Sequence, residues 1–153
     1  MLSRSKLGYV SLWALLACGA PAALCQSQSD TSCGQSTVED AWGPEFAVRA
    51  KSFLAKLQAA VEKNDKTRFA SLVRYPVRVL SGSRRAKISI PAELIKRYQS
   101  IMTPDVRKAV LDQSPACLFG NYQGVMVGRG QIWFAEQSDG QMKIITINTD
   151  VPN

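Results

Sequence analysis

The last third of the chain limits its fold more than any other stretch. After Cys117 the sequence is dense in β-branched and aromatic residues, and "GVMVGRGQIWF" (124–134) interrupts them with three glycines. Strands are expected over about 117–127, 129–136 and 141–148, with Asp139-Gly140 as a two-residue hairpin turn. A phosphate cradle needs glycines that lead into a helix N-terminus, where free backbone N–H groups meet the anion. Here the sequence beyond Gly130 is again β-rich, and no Lys-Ser/Thr pair follows. The glycines are therefore read as bulges or bends of strands that curl.

Upstream the period changes. Ala50, Phe53, Leu54, Leu57 and Val61 recur at helical spacing, with Arg49, Lys51, Lys56 and Glu62 turned outward. Asn64-Asp65 ends this helix, and Asp65 can cap a second one over 66–73. "YPVRVL" (75–80) alternates as a strand, "SGSRRA" turns the chain, and "KISI" (87–90) answers. Pro91 at a first helical position opens a stripe of Leu94, Ile95, Tyr98, Ile101 and Met102. Thr103 and Pro104 restart the helix over 103–113. Helices before and inside an antiparallel sheet, in the order ααββα(α)βββ, make the fold class α+β, with N-terminal helices packed on a curved antiparallel sheet.

The N-terminus reads as a secretory signal peptide over 1–25. Arg4 and Lys6 precede the apolar run 7–17, which is shorter than the ~20 residues a bilayer span needs. Cleavage after Cys25 or after Ala22 fits. "LLAC" (15–18) approximates a lipobox, so lipidation at Cys18 stays open and is the one route to a membrane in this reading. Residues 26–44 are polar and turn-rich and are expected to be a flexible linker, with Trp42 packing on a single domain over 45–150. The chain is thus expected to be an exported bacterial protein, periplasmic or secreted. In that setting Cys33 and Cys117 either form a disulfide or remain as a loose Cys33 and a free, buried Cys117.

Composition narrows the chemistry. The chain has no His, which removes the commonest general base and metal ligand. No metal or other cofactor is expected. The formal net charge is +7, lowered by two if Arg4 and Lys6 are cleaved off. The cluster "RRAK" (84–87) has no interleaved aromatics, so it reads as a solvated hairpin tip and not as a nucleic-acid patch.

The order of elements, with "FLAKLQAAVEKND", "LVRYPVRV" and "GRGQIWF" as the carrying stretches, resembles the nuclear transport factor two-like superfamily over about residues 46–148. That cystatin-like group also contains ketosteroid isomerase and scytalone dehydratase. The resemblance implies a sheet folded as a cone around helices, with an apolar pocket open at one end. Its members include enzymes, ligand binders and assembly domains.

An isomerase-like site would need a carboxylate base in the pocket. Glu62, Asp65, Asp105, Asp112, Asp139 and Asp150 fall at helix ends, caps or turns, and Glu93 lies in a first turn. Glu136 alone falls on an expected strand, near its end. The candidate ligand-binding residues are instead Arg74, Tyr75, Arg78, Tyr98, Tyr122, Arg129 and Trp133, suited to an anionic or amphipathic ligand. A non-catalytic domain that binds a small ligand or a protein partner is the leading reading. An isomerase or dehydratase, and a homodimer built through the sheet, are the alternatives.

Overall fold

Three helices, α1 (Val38–Trp42), α2 (Pro44–Glu62) and α3 (Lys66–Ser71), precede the first hairpin. The computed structural model describes Cys33 and residues 37–152, so the signal-peptide expectation for 1–25 lies outside the described residues. Asp65 caps α3, accepting the Arg68 N–H at 2.9 Å. The chain then runs through β1 (Val73–Ser81), β2 (Arg84–Ile88), α4 (Pro91–Ile101) and α5 (Pro104–Asp112). Pro91 and Pro104 both sit at the starts of their helices, and Thr103 caps α5 by accepting from Val106 N–H. A short 3-10 turn (Pro115–Cys117) leads into β3 (Phe119–Asn121), β4 (Gly124–Val127), β5 (Ile132–Glu136) and β6 (Met142–Asn148). The class is α+β.

The six strands form one sheet in the order β2-β1-β6-β5-β4-β3. It is mixed, and this corrects the wholly antiparallel expectation. β1 runs parallel to β6, with Arg78 opposite Thr146 and Leu80 opposite Asn148. The last strand thus returns to the centre of the sheet beside the first. The register slips between Val73 and Arg78, a stretch that holds the cis Tyr75–Pro76 peptide, and again between Trp133 and Phe134. Such bulges bend and twist a sheet.

Further expectations change. The stretch 117–127 is a 3-10 turn and a hairpin, with Tyr122-Gln123 at its tip, not one strand. Asn121 causes the reversal: its side-chain carbonyl accepts the Gln123 N–H at 2.9 Å, a local turn of the Asx kind. β5 begins at Ile132, so Gly128 and Gly130 belong to the β4–β5 turn and do not bend a strand. The β5–β6 loop spans Ser138, Asp139 and Gly140, closed by Gln137 N–H donating to the Gln141 carbonyl at 2.8 Å. "RRAK" lies within β2 and not at a tip. The later part of the expected linker is ordered: Thr37 and Asp40 form a capping box on α1, Val38 is buried, and Trp42 meets Phe46 at 4.4 Å.

Helices cover one face of the sheet. Ala50, Phe53, Leu54, Leu57 and Val61 of α2 are all buried, as the spacing predicts. Phe53 packs on Phe134 with ring centres 4.6 Å apart, and Phe69 on Tyr98 at 5.4 Å. These rings share one core between helices and sheet with Leu54, Leu57, Ile101 and Ile144.

Candidate functional site: a cationic and aromatic row on the open sheet face

Period-two alternation divides the side chains of the sheet between its faces. Val77, Val79, Ile88, Val125, Val127, Ile132, Phe134 and Ile147 are buried on the helix side. Their neighbours point the other way. Strand register then fixes a line: Phe119 pairs with Met126, Met126 with Trp133, Trp133 with Thr146, Thr146 with Arg78, and Arg78 with Lys87. One transverse row therefore crosses all six strands on the face opposite the helices. At ~4.8 Å per strand it spans roughly 24 Å. It is apolar at the β3 end and cationic at the β2 end.

A cavity of ≈ 340 Å³ lies on this row, lined by Arg78, Leu80, Gln123, Trp133, Ile145, Thr146 and Asn148. The Asn148 side-chain amide donates to the Gly130 carbonyl, while its side-chain oxygen is buried without a partner among the described residues. A second cavity of ≈ 280 Å³ shares Arg78 and Leu80 and adds Arg85 and Lys87. Three cations thus gather at one end of a groove floored by Trp133 and Leu80.

Of the seven residues singled out in the sequence, Arg78 and Trp133 come together here. The others do not join them. Arg74 is exposed on β1. Tyr75 is half-buried and donates its hydroxyl to the Ala70 carbonyl at 3.0 Å. Tyr98 is a fully buried core residue on the helix side, its hydroxyl without a partner among the described residues. Tyr122 is 91% exposed at the β3–β4 tip. Arg129 sits in the β4–β5 turn, beside a separate cavity with Gln113 and the Cys33–Cys117 disulfide. Gln131, which strict alternation would set beside Trp133 on the open face, is buried instead. It accepts the Arg129 N–H at 2.6 Å and donates to the Val151 and Pro152 carbonyls.

Sequence reasoning missed Lys87, Arg85, Leu80, Thr146 and Asn148. Their signal was present for the first three: "RVL" and "RRAK" read as paired period-two strands place Arg78, Leu80, Arg85 and Lys87 on one face. Thr146 and Asn148 had no such signal, because their parallel partner is about 70 residues away in sequence.

Burial pushes the Tyr75 hydroxyl up to about 12 and raises that of Tyr98, the latter also through Asp65 and against the opposing pull of Arg107. A raised folded-state value stabilises the fold below the unfolded tyrosine value near 10, and that stability is lost as the pH rises towards 12. The domain is therefore expected to lose stability between about pH 10 and 12. Tyr75→Phe should flatten this decline while costing ~1 kcal/mol at neutral pH for the lost hydrogen bond. Urea midpoints recorded across this range check it, and equal slopes in the two proteins would refute it.

An acid–base pair of the isomerase kind would need a buried carboxylate. The buried polar residues among those described are Gln131, Thr146 and Thr149. Glu136 sits at the surface, paired with Arg49 at 3.0 Å. No protein-family model and no curated protein matches the chain. Among solved structures it is similar to a proposed ketosteroid isomerase from Shewanella frigidimarina NCIMB 400, at 10% identity over 63% of this chain and 90% of that one, with a TM-score of 0.37. A likeness that distant carries no activity across. The α+β class rests on the strand order above.

Proposed function

We propose that this domain is a non-catalytic binding module that holds an amphipathic anion across the face of its sheet opposite the described helices. The observation that carries the reading is the transverse row, with Trp133 and Met126 on one side of Thr146 and Arg78 and Lys87 on the other. An apolar body lying over Trp133 would place an acidic head at the Arg78 guanidinium, about two strand spacings (~10 Å) away. Arginine suits that head because its fork can donate two parallel hydrogen bonds to a carboxylate or phosphate. The Cys33–Cys117 disulfide supports the exported location expected from residues 1–25, since such bonds persist in oxidising compartments.

Dodecanoate, used below its micelle concentration, is a suitable probe. Calorimetric titration is expected to show saturable binding that weakens about tenfold in Arg78→Ala, or roughly 1.4 kcal/mol, and by a similar factor in Trp133→Ala. Lys56→Ala, in a cavity between α2 and β6 on the helix side, should bind as the parent does. Unchanged affinity in both the Arg78 and Trp133 variants would overturn the reading.

A further inference from the structure

The β2 end of the sheet offers a different kind of site. β2 has one ladder, to β1, and among the described residues no backbone hydrogen bond reaches its other side. Four of its five residues are solvent-facing or half-buried. An edge like this presents free N–H and C=O groups to any extended chain.

Two cavities flank it, one on each face. On the outer face Arg78, Arg85 and Lys87 line the ≈ 280 Å³ cavity. On the helix side Arg84, Arg97 and Ser100 line one of ≈ 210 Å³. A strand laid along β2 would send successive side chains to alternate faces, and so into these two cavities in turn. The acids nearby are engaged. Glu93 pairs with Arg97 at 3.4 Å and receives the Ser89 N–H, and Asp150 accepts from the Ser81 and Thr149 hydroxyls. Five cations thus border the edge; Arg97 among them already pairs with Glu93, and Arg78, Arg84, Arg85 and Lys87 have no ion pair among the described residues. Like charges on a second copy of β2 would repel it, whereas carboxylates would be drawn in.

We propose that β2 takes up an extended acidic segment of a partner protein as a seventh strand. Main-chain pairing with β2 would supply affinity, and acidic side chains entering the two arginine-lined cavities would supply selectivity. This goes beyond the amphiphile reading and does not depend on it, although the two sites share Arg78 and Lys87.

The blocked decapeptide acetyl-(Thr-Glu-Glu)3-Thr-amide, which carries three glutamates on each face when extended, is labelled for fluorescence anisotropy and tests the proposal on the full chain. Binding should be saturable and should slow hydrogen exchange of β2 amides. N-methylation of every odd-numbered residue, or of every even-numbered residue, keeps all charges but blocks pairing along one edge of the peptide. One of these two peptides should lose at least about tenfold in affinity while the other keeps it. Equal affinity for both, or β2 exchange that does not change, overturns the proposal. Two variants separate this site from the amphiphile site. Arg84→Glu should weaken the peptide about tenfold and leave dodecanoate binding intact, and Trp133→Ala should do the reverse. A peptide that follows Trp133 and ignores Arg84 counts against strand addition.

Discussion

Gly124→Ala is expected to destabilise the domain by about 3–5 kcal/mol, the sum of a forbidden backbone conformation and an overpacked contact. Gly124 opens β4 with φ +137°, where an L side chain is strained. A Cβ there would lie 2.6 Å from the Phe134 carbonyl oxygen. That oxygen belongs to the backbone of β5, whose ring on the same residue packs on Phe53 in the core. The carbonyl cannot swing aside without moving the β4–β5 ladder. Gly140 provides the control. Its φ is +78°, yet nothing lies within 4 Å of where a methyl group would be added, so Gly140→Ala should cost only ~1 kcal/mol. Chemical denaturation of the two variants checks the pair, and similar losses in both would show that close approach at Gly124 is not what the sheet requires.

Loss of the disulfide is the second large effect. Cys33 and Cys117 are separated by 84 residues in sequence, and closing a loop of that length removes ~4.5 kcal/mol of unfolded-state entropy in the chain-entropy account. Cys33→Ala is expected to realise most of this, about 3–4 kcal/mol. The bond ties down an arm that further contacts hold among the described residues. Val38 N–H donates to the Leu118 carbonyl at 2.8 Å, Thr37 bridges to Phe119, and the Trp42 ring lies over Gly120. β3 is the sheet's other edge, and this arm lies along it. Hydrogen exchange should therefore show the Val38 amide opening first in the reduced protein, while α2 keeps its protection. An unchanged denaturation midpoint on reduction would contradict the arm's role.

The helices were legible because their signals are local. The α2 stripe, the Asp65 and Thr103 caps and the prolines at 91 and 104 each act within a few residues, and all are found in place. The parallel pairing of β1 with β6 has no local signal, since the partners lie about 70 residues apart in sequence. The hairpin at 121–124 depends on one Asn side chain within an otherwise strand-like run. Trp133 shows the limit of alternation. β5 carries large apolar groups on both faces, with Ile132 and Phe134 on one and Trp133 on the other, so period two alone does not say which face is inside. The answer comes from the partners. Phe134 meets Phe53 of α2, whereas Trp133 meets Thr146 and, through it, the cation of Arg78.

Where the amphiphile lies decides between the two faces of the sheet. A nitroxide-labelled fatty acid such as 5-doxyl stearate reports its position through the relaxation of nearby protein nuclei. With ligand on the face opposite the described helices, over the row from Met126 to Lys87, broadening should be strongest for the Met126 methyl, the Trp133 indole N–H and the Thr146 amide, and weaker at Phe53 and Leu57. Broadening centred on Ser52, Lys56 and Gln141, in the cavity between α2 and β6, would put the ligand on the other side and overturn the binding reading.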